Sequence, residues 1–207
     1  MATLLLRLAG PMQSWGTESK FSVRNTGREP SKSGVIGMVA AALGRSRDDS
    51  IADLTALRFG VRIDQSGDIL RDFHTAHNPK NEKLAYVSDR FYLSDAIFLV
   101  GLEGDLSLLA EIDEAVRHPV YPLFLGRRSC PPTGRVSLGI RETSLTEALQ
   151  GEDWLAADWY RRRMPEAVEL ETVCDAQAGE GGVFVRDSPE SFSQERRVYA
   201  ERTAVHD

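Results

Sequence analysis

The 207-residue chain has 25 Lys and Arg against 31 Asp and Glu, a formal charge of −6, with 42% hydrophobic and 8% aromatic residues. This is an ordinary globular composition, long enough to bury a substantial core, and no apolar run approaches the roughly 20 residues that cross a bilayer. Its two cysteines, Cys130 and Cys174, are far apart and without paired-ligand spacing, which argues against a zinc site or a disulfide framework and leads us to expect a cytoplasmic protein. The acidic total argues against nucleic acid, but the distribution does not. Residues 1–47 hold seven Lys and Arg against Glu18 and Glu29, a local balance of +5 against −11 in the remainder, so a polyanion site on an acidic body is permitted.

In chain order, the opening "MATLLLRLAGP" is too short for a signal peptide and is interrupted by Arg7, so "TLLLRLAG" is predicted as a buried strand ending at Gly10-Pro11. A helix is predicted over 31–43, with Pro30 blocking extension upstream, Ser31 or Ser33 as cap and Gly44 as terminator. "ALRFGVRID" is a second strand, followed by a turn near Gln65-Ser66-Gly67. Ile69 to Tyr92 is too long for a simple turn. Its arms, "ILRDFHT" and "LAYVSDRFYL", are strand-like and flank a polar tip with Asn78-Pro79 and Asn81, which fits a protruding hairpin or else a surface loop. "DAIFLVGL" is an apolar strand, and "LSLLAEIDEAVRH" an amphipathic helix carrying Leu108, Leu109, Ile112 and Val116. "RVSLGIRET" reads as a further strand. Beyond residue 150 the pattern weakens, although "GEGGVFVRD" and "RRVYAERTAV" could pair. The order strand-helix-strand, strand-helix-strand predicts an α+β, ferredoxin-like (RRM-like) body over 1–145 with the hairpin at about 69–92, and a small C-terminal region over 146–207.

Four places carry candidate chemistry. In "GREPSKSGVIGMVAAALG", Gly27 is one residue too close to Ser31-Lys32-Ser33 for a P-loop, and a serine replaces the second glycine. A helix N-terminus still offers free N–H groups to a phosphate, so Ser31, Lys32 and Ser33 either meet an RNA backbone or cap a core helix with a solvent-facing lysine. In "GPMQSWG", Gln13 is suited to reading base edges, and Trp15 either stacks on a base or packs on the body. Arg24 and Arg28 are candidate phosphate contacts. In "GRRSCPPTG", Gly126 allows close backbone approach, while Arg127 and Arg128 offer cationic forks to phosphate or to the acidic remainder.

"LRLAGPMQSWG", "PSKSGVIGMVAAALG", "RDFHT" and "FLGRRSCPPTG" together, in this order, resemble the CasD family, a subunit of the type I-E CRISPR surveillance complex Cascade. The matches run from residue 5 to about 135, with a looser fit beyond. The resemblance implies a body of the repeat-associated RNA-binding superfamily with a hairpin thumb and a small C-terminal β region. It implies that the chain binds the 5′ handle of the CRISPR guide RNA beside a backbone subunit and the large subunit, and that it meets target DNA through the complex. The thumb would use Asn78, Lys80, Lys83 and Tyr86, and His74 at its base would contact RNA or serve the structure. A related type I-C subunit cleaves guide precursor without metal, and His74, Tyr92, Tyr121 and Lys32 are the residues here that could serve such chemistry. They form no recognisable triad, so we expect neither enzyme activity nor cofactor or metal; the alternative is a metal-independent endoribonuclease.

Overall fold

A strand covered on both faces reads as a continuous apolar run, and β1 (Ala2–Ala9) is buried along its length except at Arg7. The computed structural model describes residues 1–207 except 17–18, 21, 79–80, 166 and 178, and except the side chains of 19–20, 78 and 81–84. After β1 come the short strands β2 (Met12–Gln13), β3 (Ser19–Lys20) and β4 (Val23–Arg24), then α1 (Lys32–Ala42), α2 (Ala52–Thr55) and β5 (Arg58–Gln65). The long strands β6 (Asp68–Asn78) and β7 (Asn81–Ser94) precede β8 (Ile97–Gly104), α3 (Leu106–Arg117) and β9 (Ser137–Arg141). The chain finishes with α4 (Leu145–Gly151), α5 (Asp158–Arg161), β10 (Thr172–Asp175), β11 (Val183–Ser191) and β12 (Val198–His206).

The result is an α+β molecule dominated by antiparallel sheet. The larger sheet runs β11-β12-β10-β5-β8-β1-β9. Successive side chains of a strand point to opposite faces, so Leu4, Leu6 and Leu8 meet α1 and α3 on one side while Leu5 joins Leu99 and α4 on the other. The C-terminal strands β10 and β12 continue this same sheet, because β10 pairs with β5. Helix α1 starts where predicted, with the Ser31 hydroxyl accepting the Gly34 N–H, and it ends before Gly44, whose φ of 77° is the left-handed turn that stops it.

The 69–92 insertion is a hairpin: β6 and β7 pair antiparallel from Asp68↔Ser94 to Asn78↔Asn81. Its base is built into a second sheet, where β2 pairs antiparallel and β4 parallel with β7. Of the tip residues expected to act, Lys80 and the side chains of Asn78 and Lys83 lie outside the described residues. Among the described residues no helix is long and apolar enough to cross a membrane.

Cys174 is buried against Leu145 and Leu149 of α4. Burial, above all, pushes its thiol up to about 11, and it raises Cys130 as well. The folded chain therefore holds a proton that the unfolded chain has already released above its ordinary value near 9. Stability from this group is complete below that value and is lost as pH rises towards 11. Denaturation between these two pH values is expected to show a loss on the order of 2 kcal/mol that is absent from Cys174→Ala. Equal pH slopes in the two proteins would refute the assignment.

Candidate nucleic-acid interface

A groove of about 850 Å³ lies along the outer side of α1, within the roughly 300–1,000 Å³ typical of ligand sites. It is lined by Gly34, Gly37 and Ala41 of α1, by Tyr121, Phe124 and Arg128, and by Phe192, Arg197 and Tyr199. Four arginines line it: Arg45, Arg47, Arg128 and Arg197. Arg45 is held by Asp53, whose carboxyl is lowered mainly by that hydrogen bond. Arg47, Arg128 and Arg197 have no ion-pair partner among the described residues, and all three are exposed. Exposed guanidinium groups between aromatic rings suit a polyanion with planar bases.

The 126–128 turn links this groove to the base of the hairpin. Gly126 takes a φ of 83° beneath the Ser14 carbonyl, which throws Arg127 and Arg128 to different surfaces. The Arg127 guanidinium lies 4.7 Å from the Tyr92 ring centroid, and its Nη2 donates to the Arg24 carbonyl at 2.8 Å. Arg24 stands opposite Arg90 in the parallel β4–β7 pair. The result is three neighbouring arginines. Two of their buried groups, Arg127 Nη1 and Arg90 Nε, have no hydrogen-bond partner among the described residues. Buried unpaired donors are costly, and a phosphate on the exposed Arg24 would offset the like charge of the cluster. Among the described residues no group of three His, Cys, Asp or Glu could hold a metal ion.

A family model for CRISPR-associated protein (Cas_Cas5) matches residues 3–205. The chain belongs to the Cas5 family. It is 39% identical over 162 residues to the CRISPR system Cascade subunit CasD of Escherichia coli (strain K12), covering 68% of this chain and 72% of the relative. The crystal structure of a Cas protein superposes with a TM-score of 0.78 at 40% identity, over 99% of this chain and 93% of that one. A chain from a CRISPR RNA-guided surveillance complex gives a TM-score of 0.77 at 30% identity, over 99% and 89%.

In this Cas5 chain several predicted contact residues are internal. Gln13 is fully buried; its amide donates to the Leu8 and Ala96 carbonyls at 3.2 and 2.7 Å and accepts the Trp15 indole N–H at 3.0 Å. No hydrogen-bonding edge of it faces outward, which corrects its expected role in reading bases. Trp15 is 1% exposed, with its ring against Gly34, where a Cβ would lie 2.8 Å from it. It packs on the body and is not placed to stack on a base. Gly34 thus admits a tryptophan, whereas a Cβ at Gly37 would make only ordinary contact with Phe192 at 3.5 Å.

Lys32 is corrected in the same way. It is 5% exposed, and its ammonium pairs with Asp175 at 2.9 Å. Its backbone N–H, at the very start of α1, donates to the Asp187 carboxylate at 2.8 Å. Arg202 joins both acids, at 2.9 Å to Asp175 and 2.6 Å to Asp187. The anion at the helix N-terminus is the chain's own Asp187, with the Ser31 hydroxyl used as cap. Ser33 lines the groove. Arg24, Arg28 and Arg128 are exposed, as are His74 and Tyr86 on the hairpin. Sequence reading missed Arg90, Arg47, Arg197 and the ring pair Phe192 and Tyr199. The run "FSQERRVY", with aromatic residues around two arginines, was the available signal for the last three.

Proposed function

We propose that this chain is a non-catalytic subunit of a CRISPR RNA-guided surveillance complex that binds and caps the 5′ handle of the guide RNA. The observation that carries this reading is the groove along α1, lined by four aromatic rings and by three arginines without ion pairs among the described residues, with the Arg24-Arg90-Arg127 cluster reached through the 126–128 turn. The Cascade relative and the surveillance-complex structure support guide RNA as the polyanion. Handle phosphates would lie on Arg28, Arg47, Arg128 and Arg197, and a further one on Arg24, Arg90 and Arg127. We read the body as ferredoxin-like, supported by the strand order β9-β1-β8-β5 with α1 and α3 as the crossovers. The β6–β7 hairpin would be the thumb, with Asn78, Lys80, Lys83, Tyr86 and His74 facing RNA or the adjacent backbone subunit. The large subunit and target DNA would be met within the assembly.

The positions of the residues that could cleave RNA favour the non-catalytic reading. Tyr92 is buried beneath Arg127, Lys32 is tied to Asp175, Tyr121 lies in the groove and His74 stands on the hairpin. Arg24→Ala, Arg28→Ala and Arg128→Ala are each expected to weaken binding of handle RNA. Each should flatten its salt dependence by about 0.7 log units per log salt, the single-strand value for one phosphate. Fluorescence anisotropy over a salt series checks this, and three unchanged slopes would sink the reading.

A further inference from the structure

On the α4 side of the sheet, away from the groove, residues 152–163 form a second surface, which ends in three consecutive arginines. The segment "EDWLAADWYRRR" is clamped to the end of β5. Arg62, buried and paired with Asp64 at 2.8 Å, donates to the Glu152 and Asp153 carbonyls at 2.7 and 2.9 Å. Trp154 donates its indole N–H to the Asp64 carbonyl at 2.8 Å, and the Ala157 N–H donates to the Gln65 side chain at 3.2 Å. These bonds fix the base of α5. Above it, Tyr160 meets Trp154 and Trp159 edge-on, with centroids 6.4 and 5.7 Å away. Arg161 lies 5.7 Å from the Trp154 centroid and donates to the Ala156 carbonyl at 2.8 Å, so it is engaged. Arg163 lies 5.2 Å from the Trp159 centroid.

Arg162 and Arg163 are exposed, their side chains make no hydrogen bond or ion pair among the described residues, and Trp159 is 43% exposed. Of the nearby acids, Asp64 is taken by Arg62 and Glu152 by Arg141 at 2.7 Å, while the exposed Asp153 and Asp158 form no ion pair among the described residues. Two exposed cations without an ion pair among the described residues, one of them over the face of a part-exposed indole, on a base fixed by buried hydrogen bonds, form a stacking platform with phosphate contacts. We infer that this surface binds an unpaired nucleic-acid strand outside the handle, with phosphates on Arg162 and Arg163 and a base against Trp159. A base must be unstacked to use Trp159, which selects a single strand over a duplex. The inference rests on the reading that this chain works on nucleic acid, but it uses none of the residues assigned to the handle.

The test uses the full chain saturated with unlabelled handle RNA, to which fluorescent strands of about 20 nucleotides without handle sequence are added, as RNA and as DNA, over about 50 to 200 mM salt. Arg162→Ala/Arg163→Ala is expected to weaken strand binding about tenfold and to lower the salt slope by about 1.4, two single-strand phosphates. Trp159→Ala should cost about fivefold or more with the slope unchanged. Handle affinity, measured separately, should stay within about twofold, so the handle reading and this one fail independently. A loss confined to the RNA strand assigns the guide as source, one confined to DNA assigns the target, and both support the site. Strand binding unchanged in the variants would overturn it, as would its loss together with handle binding. Variants that bind strands normally but no longer co-elute with the partner subunits would overturn it in favour of a protein interface.

Discussion

Replacing Asp187 by alanine is expected to lower the stability of the fold by about 3–5 kcal/mol, the cost of removing one member of a buried ion network. The carboxylate is 2% exposed and accepts the Lys32 N–H at 2.8 Å and Arg202 at 2.6 and 3.2 Å. Burial by itself would loosen the Arg202 proton, but the hydrogen bond and charge of Asp187, with the charge of Asp175, more than offset it and raise the group above an ordinary arginine. Without Asp187, Arg202 keeps only Asp175, which also serves Lys32 and the Phe59 N–H. The Lys32 N–H at the start of α1 is left unpaired as well. The same network joins β11 and β12 to α1, so the wall carrying Phe192 and Tyr199 should loosen and handle affinity should fall with it. Asp187→Asn keeps the shape and one acceptor and should lose less. Asp187→Ala combined with Arg202→Met should be milder than the single alanine, because no orphan charge remains. Urea denaturation of the four proteins checks the order. A single variant within about 1 kcal/mol of the parent would show that the network does not hold α1 in place.

Features set by neighbours in sequence were legible, and those set by distant partners were not. Strand β1, helix α1 with its serine cap, and helix α3 follow from periodicity and capping, and the hairpin from two strand-like arms around Asn-Pro. Helix α4 was missed although Ser144 and Glu147 form a capping box at its start. The fate of Lys32 could not be read locally. Its partners Asp175 and Asp187 stand 143 and 155 residues away, and nothing near Lys32 marks it as buried. Gln13 and Trp15 illustrate the converse. Both are suited to RNA, yet each satisfies the other inside the core, and only the packing of Trp15 on Gly34 decides between the two uses. The arginines of "GRRSC" were found because two adjacent cations after a glycine are a local pattern. Arg90 was missed because its meaning depends on lying opposite Arg24, a pairing across strands 66 positions apart in the chain.

Gly126→Ala tests how the fold holds the interface, and it is expected to cost both stability and RNA affinity. A Cβ at this position would lie 1.8 Å from the Ser14 carbonyl oxygen and 2.7 Å from its carbon, and these are backbone atoms that cannot rotate away. The φ of 83° adds strain for any side chain. The turn has little room to shift: the Ser14 N–H donates to the Leu125 carbonyl at 3.0 Å, the Leu125 N–H to Cys130 at 2.7 Å and the Cys130 N–H to Arg127 at 2.9 Å. To admit a methyl group, the 125–130 loop must part from Ser14. That carries Arg127 off Tyr92 and moves Arg128 in the groove. We expect a loss of about 2–4 kcal/mol, combining strain with a broken backbone contact, and handle affinity at or below that of Arg127→Ala/Arg128→Ala. Two control glycines separate the causes. Gly134→Ala has a φ of 75° with only an arginine tip at 3.7 Å and should cost only the backbone term, about 1–2 kcal/mol. Gly151→Ala meets nothing within 4 Å and should be neutral or slightly stabilising. Thermal melts and handle titrations of the three variants give the answer together. If Gly126→Ala melted like Gly134→Ala and bound handle RNA as the parent does, the contact with Ser14 would not be what positions the two arginines.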